Sequence, residues 1–235
     1  MKDTLLYIKF ALIFALRNGT LSHIKQFRRW YKDKHLGGST VERELPWMTY
    51  DAINFLSSLC KPDTTVFEWG SGGSTLFFSK RCRQVISVEH DRIWSALLHN
   101  KLKELSVKNV DYSEIPGEKI TDWAKRNYYN PDHFISGDKN SVGLSYETYV
   151  KAIDKYPDNY FDIVVVDGRS RNSCAKRAIP HVKKGGYLVV DNTDRKYYLS
   201  DITEFQNPAI WQKTEIQGPV FFQHAFGKTS FFKKM

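Results

Sequence analysis

The sequence has few cysteines and no long hydrophobic run. Its 235 residues contain three cysteines, at positions 60, 82 and 174, and no pair at C-x-x-C spacing. An odd number of widely spaced cysteines argues against a disulfide framework and a zinc site, and it favours a reducing, cytoplasmic setting. The apolar stretch at residues 5–16 is interrupted by Lys9. It is also shorter than the roughly twenty residues that span a membrane.

Acidic residues are fewer than basic residues, most clearly near the N-terminus. The chain has 35 Lys and Arg against 26 Asp and Glu, and nine of the basic but four of the acidic residues lie in the first 45 positions. Such a segment can meet nucleic acid, an anionic membrane or an acidic partner, and a solvated basic face is the alternative. We expect residues 1–45 to form a basic helical N-terminal extension. Residues 5–34 within it could contact a membrane surface or a partner peripherally, with packing on the protein's own core as the alternative.

Residues 46–235 alternate between short apolar runs and helical stretches. The runs at 65–68, 84–89, 109–115, 160–167, 186–191, 211–217 and 229–234 predict strands. Helical spacing is found, among other places, at 145–155, 174–182 and 199–205. Alternation of this kind predicts an α/β domain with a largely parallel sheet and helices on both faces. Residues 117–144 are polar and aromatic, and we expect them to form a long loop or lid.

A glycine-rich turn follows the first predicted strand. The segment Glu68-Trp69-Gly70-Ser71-Gly72-Gly73-Ser74 lies between that strand and a helix, and Glu89 ends the next strand 21 residues after Glu68. Glycines let the backbone approach a ligand closely, and a carboxylate after the second strand can accept hydrogen bonds from ribose hydroxyls. A plain tight turn with a surface glutamate is the alternative.

This segment resembles the first motif of the class I S-adenosylmethionine-dependent methyltransferases. Glu68, Gly70 and Gly72 match its acid-x-Gly-x-Gly pattern, and Glu89, followed by His90, matches the acid of the second strand. The resemblance covers about residue 46 to the C-terminus. It implies a Rossmann-like fold with seven strands, the last antiparallel. It also implies an S-adenosylmethionine-dependent methyltransferase, with the cofactor held by the residues listed here: Glu68, Gly70, Ser71, Gly72, Gly73, Ser74, Glu89, His90 and Asp167.

A dinucleotide or nucleotide-sugar enzyme is an alternative on a similar sheet. It is disfavoured because Glu68 precedes the glycines, where a carboxylate would repel a pyrophosphate. The same carboxylate suits the ammonium group of an amino-acid moiety.

A second group of polar residues follows two other strands. Asp167 and the pair Asp191-Asn192 resemble the metal ligands of the metal-dependent O-methyltransferases, which implies Mg²⁺ bound by these residues and a small-molecule hydroxyl as acceptor. The sequence departs from that family after Asp167, where Arg169 and Arg171 stand and no lysine follows until the next helix. Binding of the cofactor, or capping of helices, is the alternative role for the two aspartates.

The same region offers candidates for acceptor binding and proton transfer. Arg169 and Arg171 could hold an anionic group of the substrate or the methionine carboxylate of the cofactor, or pair with Asp167 or Glu89 instead. Besides Asp167, we consider His133, in the lid, and His224, between the last two strands, as catalytic residues.

The sequence thus predicts a methyltransferase acting on a small molecule. One alternative is a non-enzymatic methyltransferase-like module that docks on a membrane or protein through residues 1–45. Another is a nucleic-acid methyltransferase, although no Asn/Asp-Pro-Pro-aromatic signature follows the strand that ends at Asp167.

Overall fold

The structure is a computed structural model that describes residues 2–18, 21–221 and 226–235. Within these residues the helices are α1 Lys2–Asn18, α2 Ser22–Leu36, α3 Thr40–Arg43, α4 Tyr50–Leu59, α5 Gly73–Ser79, α6 Arg92–Glu104, α7 Glu147–Val150 and α8 Arg171–Ala178. The strands are β1 Thr65–Trp69, β2 Gln84–Glu89, β3 Val110–Glu114, β4 Glu118–Lys119, β5 Leu144–Ser145, β6 Phe161–Val166, β7 Val182–Asp191, β8 Trp211–Pro219 and β9 Phe226–Lys234.

Seven of these strands form one twisted sheet in the order β3-β2-β1-β6-β7-β9-β8. Neighbouring strands from β3 to β7 are parallel, whereas β9 is antiparallel to both β7 and β8. The prediction of a mostly parallel seven-stranded sheet with an antiparallel last strand is therefore confirmed. Strand order reverses between β1 and β6, and ligands of such sheets bind outside the carboxyl ends of the strands at that point.

The central strands are apolar on both faces because helices cover both sides of the sheet. β1 is buried at all five positions, and β6 is buried at five of its six. One face packs a core that includes Trp69, and the other face packs one that includes Phe77. Continuous burial of this kind explains why these strands read as unbroken apolar runs in the sequence.

Three predicted helices differ from the observed elements. The helix predicted at 174–182 begins earlier and ends at Ala178, and β7 starts at Val182, because Pro180 lacks an N–H group and its ring disfavours a continuing helix. Of the helix predicted at 145–155, only Glu147–Val150 is α-helical, and a 3₁₀ segment follows. At 199–205 the structure has only a 3₁₀ turn, Thr203–Gln206.

The N-terminal helices pack against the domain through a separate aromatic cluster. Tyr7 and Trp30 contact Tyr50 and Phe221, and all four are almost fully buried. No helix in the described part of the chain is long and apolar enough to cross a membrane. Residues 117–144 consist of short 3₁₀ turns, with β4 and β5 pairing at the two ends of the segment.

Candidate functional site

The glycine turn after β1 is shaped by close backbone contacts. Gly70 has φ +92°, and a Cβ there would lie 2.6 Å from the backbone nitrogen of Gly168. Only glycine tolerates both the left-handed conformation and this approach. The turn is thereby held against the carboxyl end of β6, beside Asp167.

The rest of the turn is wedged between two other segments. The indole Nε1 of Trp94, on α6, donates a hydrogen bond of 2.6 Å to the carbonyl oxygen of Ser71, and the ring packs over Gly72. A Cβ on Gly73 would overlap the carbonyl oxygen of Thr40, so α3 rests directly on the start of α5. Trp94 therefore packs directly against the turn.

Glu68 lies beneath the turn and is fully buried. Its carboxylate accepts hydrogen bonds from the hydroxyls of Ser74, Thr75 and Ser87. Burial raises the pKa of Glu68 to about 7, although these hydrogen bonds oppose the shift. In this position Glu68 supports the turn from below, and its direct contact with a cofactor stays a prediction.

Glu89 joins the turn to the start of α6. Its Oε2 accepts hydrogen bonds from the backbone N–H and the hydroxyl of Ser71, while Oε1 accepts from the N–H groups of His90 and Asp91. Burial alone would raise the pKa of Glu89, but His90, whose Nδ1 lies 2.8 Å away, and these N–H groups hold it below its usual value. The carboxylate is thus ionised and fixed, and it reaches a ribose only by exchanging one of these partners.

A cavity of about 430 Å³ opens at the carboxyl edge beside Glu89. Its walls come from residues 90–93 after β2, residues 116–117 after β3 and Arg169 after β6, with Tyr146 at one side. This volume is within the roughly 300–1,000 Å³ of small-molecule sites. Arg169 faces the cavity, and the carboxylate of Asp138 lies 3.7 Å from its guanidinium.

The cavity and the turn together suit a nucleoside cofactor. The cavity combines the hydroxyls of Ser141 and Tyr146 and the imidazole of His90 with apolar walls from Ile93 and Leu144. Such a lining can pack against a base and donate or accept hydrogen bonds at its edge. The residues present therefore fit S-adenosylmethionine.

Arg171 holds the ends of β6 and β7 together. Its buried guanidinium donates hydrogen bonds to the carbonyl oxygens of Gly168, Asp167 and Asp191 and lies 2.9 Å from the Asp167 carboxylate. Most of its N–H groups are therefore used inside the protein. Of the two arginines predicted to bind substrate, the structure leaves Arg169 open and encloses Arg171.

The structure does not support the predicted Mg²⁺ site at Asp167, Asp191 and Asn192. The described residues contain no cluster of three His, Cys, Asp or Glu side chains that could hold a metal ion. Asp167 is paired with Arg171, and Asp191 accepts hydrogen bonds from Thr229 at 2.5 Å and from the Asn192 amide at 2.6 Å. Burial, and then the charge of Asp167, raise the pKa of Asp191 to about 7.

The two candidate histidines have different positions. His133 lies in the lid, where its Nδ1 accepts a hydrogen bond of 2.7 Å from the backbone N–H of Asn127. It therefore stabilises the lid's own conformation. His224 lies outside the described residues.

Asn172 is a site residue that the sequence analysis missed. Its buried amide donates hydrogen bonds to the carbonyl oxygens of Tyr128, Tyr129 and Tyr197 and accepts one from the N–H of Leu199. This single side chain ties the lid to the loop after β7. Because its partners are 25 to 44 positions away along the chain, no local sequence signal identifies it.

Solved structures of methyltransferases share this fold at low sequence identity. A Klebsiella pneumoniae protein named as an O-methyltransferase is 14% identical, with a TM-score of 0.56 over 88% of this chain and 98% of that one. A Streptococcus mutans protein named as a methyltransferase, solved in complex with SAH, is 13% identical, with a TM-score of 0.53 over 77% of this chain and 94% of that one. The tRNA (m1A58) methyltransferase TrmI from Aquifex aeolicus is 12% identical, with a TM-score of 0.51 over 84% of this chain and 76% of that one.

No protein-family model and no curated protein sequence matches the chain. The structural similarity, together with the strand order described above, establishes the architecture. The chain has the class I methyltransferase fold.

Proposed function

We propose that this protein is an S-adenosylmethionine-dependent methyltransferase that methylates an oxygen of a small molecule. The observation that carries the proposal is the cavity at the carboxyl edge of the sheet, bounded by the residues after β2, β3 and β6, with the glycine turn after β1 at the same edge. Fold neighbours that are named as methyltransferases, one of them solved in complex with SAH, support an enzyme of this type. When bound, S-adenosylmethionine supplies an electrophilic methyl group on a sulfonium.

The chain's own residues would position the reactants. Gly70 and Gly72 let the turn approach the cofactor, while Glu89 and Glu68 fix the turn's conformation through their hydrogen bonds. A preformed site of this kind lowers the barrier by alignment and by exclusion of water. We assign Arg169 to an anionic group of the acceptor or of the cofactor, since its guanidinium faces the cavity.

Asp167 is the better placed of the two predicted catalytic residues that the structure describes. Its side chain lies at the carboxyl end of β6 beside the turn and is one-fifth exposed. We assign Asp167 the role of the base that accepts the proton of the acceptor hydroxyl. Asp167→Asn keeps an oxygen that can accept the hydrogen bond from Arg171 but removes the basic group, so transfer should fall roughly 10²–10⁴-fold while cofactor affinity changes little.

The lid favours a small acceptor over a polymer. Residues 117–144 are fastened to the domain by Asn172 and by the ion pair between Lys176 and Asp132, at 2.7 Å. A fastened lid over the carboxyl edge limits the size of what reaches the cavity.

Methyl-labelled S-adenosylmethionine tests the acceptor class directly. The protein is incubated with a protein-free metabolite extract, with total RNA and with DNA, and label is counted in each pool. We expect label in the metabolite pool and none with the Gly72→Val variant. Label in RNA or DNA instead would refute the small-molecule acceptor, and no label in any pool, despite cofactor binding, would refute the transferase.

A further inference from the structure

Helix α1 exposes an apolar stripe on the side that faces away from the protein. Leu5, Ile8, Leu12 and Leu16 are 64%, 45%, 50% and 87% exposed. Their spacing of three, four and four residues places them on one helix face, over about 17 Å at 1.5 Å per residue. The opposite face is already used, since Tyr7 is buried in the aromatic cluster with Trp30.

The apolar surface continues from α1 onto α2. Ile8 and Leu12 form, with Ile24 and Phe27, the walls of an apolar groove of about 250 Å³ between the two helices. Ile24 is also about half exposed. A contiguous apolar surface of this kind with a polar rim marks an interaction site more often than scattered exposed leucines do.

The rim of this surface is basic. Lys9 on α1 and Lys25, Arg28 and Lys32 on α2 are exposed, and no ion pair within the described residues engages them. The three α2 residues are three and four positions apart, so they share a face.

The acidic residues of the two helices do not offset this charge. Asp3 and Asp33 are the acidic residues of positions 1–36. Asp3 pairs with Lys34 at 2.6 Å, and Asp33 accepts a hydrogen bond of 2.9 Å from the Tyr50 hydroxyl. The surface is therefore apolar at its centre and positively charged at its edge.

We propose that the α1–α2 surface docks on an anionic lipid bilayer, with α1 lying in the membrane interface. Aliphatic side chains on one helix face with lysine and arginine beside them are the composition of interfacial helices. Protein–protein interfaces, in contrast, are depleted in lysine and enriched in aromatic residues. The described helices are too short or too polar to span the bilayer, so the contact is peripheral.

Vesicle flotation of the full chain tests this proposal. The vesicles are phosphatidylcholine alone or phosphatidylcholine mixed with phosphatidylserine. We expect the protein to float with the anionic vesicles at low salt, to bind the neutral vesicles much more weakly, and to be released as salt rises.

Two variants separate the apolar and the electrostatic contributions. The stripe variant combines Leu5→Gln, Leu12→Gln and Leu16→Gln, and the rim variant combines Lys25→Gln, Arg28→Gln and Lys32→Gln. At about 1 kcal/mol per basic residue near an anionic surface, the rim variant should bind about a hundredfold more weakly. The stripe variant should lose flotation even at low salt. Ile210→Gln, which removes an exposed isoleucine outside this surface, should float like the parent.

Circular dichroism and the melting temperature show whether each variant remains folded. Failure of the parent to float with anionic vesicles would overturn the proposal, and so would unchanged flotation of a folded stripe variant. A dimer in solution that the stripe substitutions dissociate, without any flotation of the parent, would assign the surface to a second copy of the chain instead.

Discussion

At the scale of single residues, the two glutamates of the cofactor motif owe their roles to burial. Glu89 has enough N–H and O–H partners to remain charged, whereas Glu68 has three hydroxyl partners and is fully enclosed. The difference gives Glu68 a pKa of about 7 against its usual 4.5. A carboxyl with such a shift makes stability depend on pH.

We expect Glu68→Gln to remove that dependence. Between pH 4.5 and 7, Glu68 keeps its proton in the folded state but releases it in the unfolded state. The free energy of unfolding of the parent therefore falls as pH rises through this window, and Glu68 causes no further loss above pH 7. Across this window, the free energy of unfolding of the variant should rise relative to that of the parent by on the order of 3 kcal/mol, as measured by urea unfolding at each pH. Exposed Glu204→Gln is the control and should follow the parent. A constant difference between Glu68→Gln and the parent would contradict the assignment.

Arg171 is expected to contribute mainly to stability. In Arg171→Met the carbonyl oxygens at the ends of β6 and β7 lose their donors, and the partly buried carboxylate of Asp167 loses its ion-pair partner. The free energy of unfolding should fall by about 3–5 kcal/mol. Arg169→Met should cost less than about 1 kcal/mol, because Arg169 is partly exposed and its ion pair with Asp138 is 3.7 Å long. Equal losses in the two variants would show that Arg171 does not join the strands.

At the scale of elements, the lid and the loop after β7 are joined through one side chain. Asn172 bonds to both, so removing its amide should free the two segments without affecting the sheet. We expect amide hydrogen exchange of Asn172→Ala to accelerate at Leu199 and through the lid, while the strands stay protected. The control variant Asn100→Ala, which changes an exposed residue on α6, should show the same amide hydrogen exchange as the parent. Unchanged exchange at Leu199 in Asn172→Ala would contradict this role.

The elements that the sequence predicted best are those with a local signal. The buried strands ending near Asp167 and Asp191 are unbroken apolar runs, and the glycine turn lies between a strand and a helix. The predicted end of α8 was wrong, because apolar residues continue at helical spacing beyond Ala178 and the prediction gave too little weight to Pro180, which ends the helix. The helix prediction also failed at 199–205, where the Asn172 side chain accepts the hydrogen bond of the Leu199 N–H and the helical part is only a 3₁₀ turn, Thr203–Gln206.

At the scale of the whole molecule, the candidate site forms where distant segments meet. The sequence predicted the motif at 68–74 and Glu89, because their spacing is fixed by a strand, a turn and a helix. It could not predict that the end of β7 would enclose Arg171, because the contact is a tertiary one with Asp191, which lies 20 positions further along the chain. The Mg²⁺ ligands were likewise assigned without knowing that Arg171 and Thr229 would contact Asp167 and Asp191, and the Mg²⁺ site stays a prediction that the structure does not support.

Isothermal titration of S-adenosylmethionine into the full chain tests the central claim, that the cavity beside Glu89 binds this cofactor. We predict saturable binding at one site per chain, lost in Gly72→Val, where the added side chain meets the ring of Trp94, and retained in Asn100→Ala, which changes an exposed residue of α6 outside the cavity. Absence of binding by the folded parent, or equal binding by a folded Gly72→Val variant, would contradict the account.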